Sequence, residues 1–280
     1  EWFVALLPMG DEAAALALNA ELREASRSGQ LDVAAIEYMD RRSLELAAEH
    51  DRVRLAPLPT GAGTALLVQA ELPAGTSRDQ AAAELAEAGG SPLAGLGHVL
   101  REHGVFDEAA VALPGEDARR RALFAVREAV PEAVNGRVAE VRRDGNPGVS
   151  KAASDVIVPF DKLTEAMTAY RAAMSERGLD HAVWGHVSDG NLHPNMIATN
   201  DAEMESARDC QLELGRIAIR LGGSPMSEHG TGRNPVKQAL LGELYGKRGM
   251  AEMRAVKDAF DPHGVLSPGV MLPAAGRTSE

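Results

Sequence analysis

The run Gly185-His186-Val187-Ser188-Asp189-Gly190-Asn191-Leu192-His193-Pro194-Asn195 places two histidines around a turn dipeptide. Asp189-Gly190 suits a two-residue type I′ hairpin loop, which needs positive φ at both central positions. With those residues as the loop, Ser188 faces Asn191, Val187 faces Leu192 and His186 faces His193. Opposed residues of an antiparallel pair have Cβ atoms about 4.5–5.5 Å apart, within reach of one ion. Along a straight strand the odd spacing would send the rings to opposite faces. Two imidazoles on one face suit a divalent metal. The same residues also fit a hairpin whose histidines merely flank a polar turn.

A second polar segment, Ser227-Glu228-His229-Gly230-Thr231-Gly232-Arg233, precedes an Asn234-Pro235 helix start. Glu228 is a candidate third ligand, because carboxylate oxygen with imidazole nitrogen suits zinc, manganese or iron and leaves positions open for substrate. His229 would then be free for proton transfer near neutral pH. An ordinary surface loop accounts for these residues equally well. Glu102-His103-Gly104 repeats the Glu-His-Gly string and reads as a helix terminus.

The 280-residue chain, 45% hydrophobic and 25% charged, has ample material for one large domain or two ordinary ones. Its net charge of −12, with no run of Lys and Arg, argues against nucleic acid and against a polybasic membrane patch. The single cysteine, Cys210, excludes a disulfide framework and reads as an inert thiol on a helix. No apolar run approaches the ~18 residues of a membrane span, and no signal peptide is visible. The abrupt apolar opening at Trp2 suggests a piece of something longer, and residues 273–280 read as a frayed tail. Gly61-Ala62-Gly63 and Gly95-Leu96-Gly97 lack the third glycine of a dinucleotide loop, so a cofactor's phosphates would be held elsewhere.

The elements that must position these residues alternate. Strands are expected at 1–7, 33–39 and 64–72, with helices at 11–27, 40–49 and from Ser77 to Gly89-Gly90. Asp40 is a plausible N-cap, and Ser77 with Gln80 forms a capping-box pattern. Beyond a glycine-rich stretch come a helix at 116–130, a strand at 137–141, a strand at 155–159 and a helix at 161–177. Strands at 181–187 and 192–199 follow, then helices at 201–221, 234–245 and 250–260. The pattern favours an α+β layer in which helices cover one face of a largely antiparallel sheet.

Taken together, the 185–195 string, Glu228-His229-Gly230-Thr231-Gly232 and Phe260-Asp261-Pro262-His263-Gly264-Val265-Leu266-Ser267-Pro268-Gly269 resemble the C-terminal domain of FAD-linked oxidases. These are the D-lactate dehydrogenase, glycolate oxidase and D-2-hydroxyglutarate dehydrogenase relatives of the vanillyl-alcohol oxidase superfamily. The likeness runs from the first strand to Leu272 and includes Glu37-Tyr38-Met39-Asp40. It implies a ferredoxin-like-derived cap domain over residues 1–272, with the N-terminal FAD-binding domain absent from this chain.

The resemblance also implies roles. His186, His193 and Glu228 match metal ligands, with zinc or manganese as the ion. Asn195 and His229 match residues touching substrate and the flavin side of the pocket. Arg127 matches an arginine that receives the substrate carboxylate, a task its bidentate fork suits. Lys151 lies near a family substrate lysine, and Ser267 near where the terminal segment meets the flavin. Three positions depart from the pattern: Ser188 stands for glycine, Pro131 for a hydroxyl residue and Ser267 for asparagine.

The implied reaction is FAD-dependent oxidation of a D-2-hydroxy acid to the 2-oxo acid, with His229 as general base and the isolated domain inactive. The partners expected are a small 2-hydroxy acid and an FAD-binding domain, in cis or as a separate chain, with room for a homodimer. The expected location is the cytoplasm or the inner face of a membrane. Two alternatives stay open: a non-catalytic cap fragment or subunit, and a metal hydrolase using the two-His-one-Glu set with a bound water.

Overall fold

A computed structural model describes residues 1–49, 61–87 and 90–272. The chain order is β1 (Trp2–Met9), α1 (Glu12–Arg27), β2 (Val33–Asp40), α2 (Arg41–Ala48), β3 (Thr64–Glu71), α3 (Arg78–Ala86) and α4 (Pro92–Glu102). There follow β4 (Ala110–Ala112), α5 (Asp117–Arg143), β5 (Ala152–Ala153), β6 (Val156–Ile157) and α6 (Leu163–Ser175). The last elements are β7 (His181–His186), β8 (Asn191–Met196), α7 (Asp201–Arg220) and α8 (Pro235–Phe260). The strands form an antiparallel sheet in the order β4-β1-β3-β2-β7-β8-β5, with β6 paired to β8. This is the expected α+β class.

Helices cover both faces of the sheet, where one was expected. The pleat of β1 shows why: Phe3, Ala5 and Leu7 enter one core with α1, α4, α6 and α7, while Val4 and Leu6 enter a second core with α2 and α5. Nearly continuous burial from Phe3 to Leu7 marks a strand covered twice, whereas a single covered face would alternate with polar positions.

Side-chain caps start several helices as expected. Asp40 Oδ1 accepts the Ser43 N–H at 2.8 Å, Ser77 Oγ the Gln80 N–H at 3.2 Å, and Asn234 Oδ1 the Val236 N–H at 2.9 Å. Glu102-His103-Gly104 is a helix terminus, with Gly104 at φ 68°.

Three expectations need correction. No strand occupies 137–141: α5 runs straight through, because Val126, Val130 and Val134 at four-residue spacing bury one helical stripe against the second core. The glycine-rich stretch holds a helix, α4, capped by Ser91 with Pro92 in its first turn. The strand at 155–159 is only the short β6, and β5 precedes it. The expected helices at 234–245 and 250–260 are both present, as the two limbs of α8 separated at Gly246, whose φ of 61° is non-helical. The predicted stop at Gly89-Gly90 falls partly, and the tail at 273–280 wholly, outside the described residues.

Candidate metal centre

The β7–β8 hairpin carries both histidines, but not in the expected register. His193 stands opposite Trp184, not His186. The loop is a 3-10 turn over Val187–Asp189 closed by Gly190 at φ 78°, so only one residue takes positive φ and no type I′ turn forms. A register displaced by two residues keeps every side chain on its own face of the pleat. His186 is therefore a diagonal neighbour of His193 on the same side, with ring centroids 5.7 Å apart. Gly185 permits the approach, since a Cβ there would lie 2.6 Å from Asn191 O, at a φ of +149°.

Trp184 packs in the core lined by α5, so the imidazoles and Asn195 share the face that α5 covers. On the adjacent β2, Glu37 is the direct partner of His186, and its Oε1 lies 2.6 Å from His186 Nδ1. The other oxygen of Glu37 accepts Nε of Arg127, from α5, at 3.2 Å. One helical turn after Arg127, Pro131 has no N–H to return to the Arg127 carbonyl.

Glu228 arrives from the far side, on a loop tied down by Asp155. Asp155 Oδ2 accepts the backbone N–H groups of Ser227, Glu228 and His229 at 3.2, 3.0 and 2.8 Å. The loop thereby brings Glu228 Oε1 to 3.1 Å from Nε2 of both His193 and His229, and Oε2 to 3.4 Å from Nε2 of His186. Three imidazoles and one carboxylate converge. Asp155, His193, Glu228 and His229 each offer a ligand atom within 4.8 Å of the others.

Burial depresses the pKa of His193 from 6.5 to about 4, keeping it neutral, as a ligand must be. The bond to Glu37 raises that of His186, against a smaller opposing effect of burial. Burial works against ionisation of Glu37, yet His186 and Arg127 hold its carboxyl below the usual range. A neutral His193 has one N–H for two carboxylates, Asp155 and Glu228, and its Nδ1 and Asp155 Oδ1 are both buried without a hydrogen-bond partner among the described residues. A divalent cation between Glu228 and the imidazoles satisfies a donor set that protons alone leave short. The residues present fit a metal.

His193, Glu228 and His229 border a pocket of about 540 Å³ that Arg127, Lys151 and Asn195 also line, with His186 and Glu37 outside that lining. Asn195 is fully buried and donates Nδ2 to the His193 carbonyl at 2.9 Å. Lys151 Nζ lies 6.0 Å from the Trp184 ring centroid, and burial lowers its pKa. Arg233 and Lys237, which sequence reasoning did not single out, also line the pocket. Ser267 lies outside that lining, on an exposed segment at φ 43°. Glu37 and Asp155 were also missed as site residues: Glu37 was visible only as part of the Glu37–Asp40 string, and Asp155 gave no signal beyond a polar residue opening a strand.

The arrangement of helices and sheet is shared with about half the length of two solved structures. p-Cresol methylhydroxylase with substrate bound superposes with a TM-score of 0.63 at 14% identity, covering 100% of this chain and 54% of that one. A 4-ethylphenol oxidase from Gulosibacter chungangensis gives 0.58 at 16%, covering 99% and 55%. The sequence pattern of "FAD linked oxidases, C-terminal domain" matches residues 4–271, and the chain belongs to that family.

Among curated relatives, the GlcD component of glycolate oxidase from Bacillus subtilis is 28% identical over 242 residues, 85% of this chain and 45% of the relative. A D-lactate dehydrogenase of Archaeoglobus fulgidus is 30% identical over 181 residues, 64% and 40% respectively. D-2-hydroxyglutarate dehydrogenase of Escherichia coli is 32% identical over 127 residues, 44% and 12%. The chain thus spans less than half the length of these relatives. Among the described residues no helix is long and apolar enough to cross a membrane.

Proposed function

We propose that this chain is the substrate- and metal-binding cap of an enzyme that oxidises a D-2-hydroxy acid to the 2-oxo acid. The observation that carries the reading is the convergence of three imidazole Nε2 atoms on Glu228, which lines one pocket with Arg127 and Lys151. Zinc or manganese would be held by His186, His193 and Glu228 and would act as a Lewis acid, lowering the pKa of the substrate hydroxyl. FAD, held mainly by another domain, would supply the hydride acceptor.

The chain's own side chains do the rest. Arg127 spends Nε on Glu37, which leaves its two Nη groups to receive the substrate carboxylate. Lys151, drier than a surface lysine, adds a second cation to that anion site. Together they restrict rotation of the bound acid, so that its C2 hydrogen faces the flavin. His229, exposed on the Asp155-tethered loop, takes the hydroxyl proton on Nε2. Asn195, whose Oδ1 is buried without a partner among the described residues, offers a polar contact in the pocket.

The surface that would meet the FAD-binding domain, in cis or on a separate chain, lies at the C-terminal end. Phe260, Val265, Leu266, Val270 and Met271 are exposed there, apolar area that a lone domain seldom leaves in water. The adjoining stretch of chain is pinned to the site loop, since Met271 N–H donates to Gly232 O at 2.7 Å and Gln238 Nε2 to Gly269 O at 2.9 Å. Ser267 sits within this patch, where the flavin edge would arrive.

The test is elemental analysis and D-2-hydroxy-acid turnover of the complete protein alongside its Glu228→Ala variant. One equivalent of metal in the parent, with loss of both metal and turnover in the variant, supports the reading. Full activity and full metal content in the variant would refute it.

A further inference from the structure

Each hairpin imidazole that faces Glu228 through Nε2 has a carboxylate at its other nitrogen. Glu37 Oε1 lies 2.6 Å from His186 Nδ1, and Asp155 Oδ1 lies 3.7 Å from His193 Nδ1. The two carboxylates come from different parts of the chain on opposite sides of the pair. Asp155 Oδ2 is taken up by three backbone N–H groups, so Oδ1 is the oxygen left to receive a hydrogen from His193. Among the described residues both Oδ1 and Nδ1 are buried without a hydrogen-bond partner, and a movement of about 1 Å would join them.

A neutral imidazole carries one N–H, and which nitrogen holds it depends on the partner of the other. An ionised carboxylate only accepts. Beside one, Nδ1 keeps the hydrogen and Nε2 presents its lone pair. Two such lone pairs aimed at the Glu228 carboxylate repel it unless a cation lies between them, and carboxylate–histidine–metal triads have this logic.

We propose that Glu37 and Asp155 are positioning residues that hold His186 and His193 in the Nδ1–H tautomer, presenting both Nε2 lone pairs to one divalent cation shared with Glu228. The inference rests on the metal reading above and deepens it. Glu37 has a further part, because its second oxygen holds Arg127. One carboxylate therefore sets the spacing between the cation and the guanidinium that receives the substrate's own carboxylate. Asp155 couples the orientation of His193 to the backbone of the loop bearing Glu228 and His229.

The experiment uses the intact protein and its Glu37→Gln and Asp155→Asn variants. Each amide keeps the side-chain shape but turns an NH₂ toward Nδ1, which must then accept and pass the hydrogen to Nε2. Two quantities are read: zinc affinity by competition with a chelator, and histidine ¹⁵N shifts of the metal-free protein at about pH 9, above the ordinary imidazole range. Expected are Nδ1–H shifts for both histidines in the parent, an Nε2–H signature for the neighbouring histidine in each variant, and zinc affinity lower by about 10–100-fold.

Nε2–H shifts in the parent, or zinc affinities within about twofold of the parent in both variants, would overturn the proposal. A parent that takes up no zinc overturns the metal reading, while the tautomer assignment stands or falls on the ¹⁵N shifts alone. Should Asp155→Asn fail to fold, Glu37→Gln, at a less enclosed position, carries the test.

Discussion

The carboxylate of Asp155 accepts the backbone N–H of His229 at 2.8 Å across 74 residues of chain, and so ties the β6 edge of the sheet to the loop bearing the proposed base. The same oxygen holds Ser227 and Glu228. Replacing Asp155 by alanine leaves three loop N–H groups without that acceptor and empties a site that is 1% exposed. We expect a loss of about 3–5 kcal/mol, as for removal of one partner from a buried charged network. Urea denaturation measures it, and amide exchange should rise first at residues 227–229.

Arg127→Lys keeps a positive charge but removes the fork. The pair with Glu37 is a single Nε contact, so the fold should survive, while bidentate capture of a carboxylate should not. In the complete enzyme KM for the 2-hydroxy acid should rise about tenfold, equivalent to about 1.4 kcal/mol, with a smaller change in kcat. An unchanged KM would remove Arg127 from the anion site.

Gly185→Ala should be among the most damaging single-methyl changes. The new Cβ would sit 2.6 Å from Asn191 O and 2.9 Å from Leu192 Cα, at a φ of +149° that L-residues rarely adopt. A destabilisation of about 2–4 kcal/mol follows from overpacking and backbone strain together. Thermal unfolding checks it, and retention of the parent Tm would contradict the hairpin register.

Metal-free protein should lose stability on acidification. His193 has its pKa lowered by burial from 6.5 to about 4, so between those values the unfolded chain binds the extra proton and stability falls as pH falls. The full shift corresponds to a loss of about 3 kcal/mol, complete below pH 4 and absent above about 6.5. His186 acts in the opposite sense: its raised pKa contributes stability at low pH that fades as pH climbs through the folded value. The two are separated by comparing parent and His193→Gln from pH 4 to 7 in the presence of chelator. The parent's stability should depend more steeply on pH, and equal slopes would count against the burial of His193.

Much of the secondary structure was legible because its signals are local. Asp40, Ser77 and Asn234 announce helix starts through side-chain caps that involve only the next few residues. The errors share a cause. A strand is expected over 137–141, but burial of Val126, Val130 and Val134 against the sheet decides for helix, and five residues alone cannot weigh that. The Asp189-Gly190 pair correctly marks the turn, yet its type depended on where Gly190 and Gly185 meet neighbouring backbone.

By itself the sequence determined which donor types exist and that the two hairpin imidazoles share a face, since pleat parity survives a register change of two residues. It also determined that Glu228 and His229 sit together on a glycine-flanked loop. Only the tertiary structure decided what stands behind those imidazoles. Glu37 meets His186 because β2 pairs with β7, and Asp155 meets His193 because β5 and β6, on either side of it, both pair with β8. Such pairings come from long-range strand order and core packing, which no short window of residues encodes.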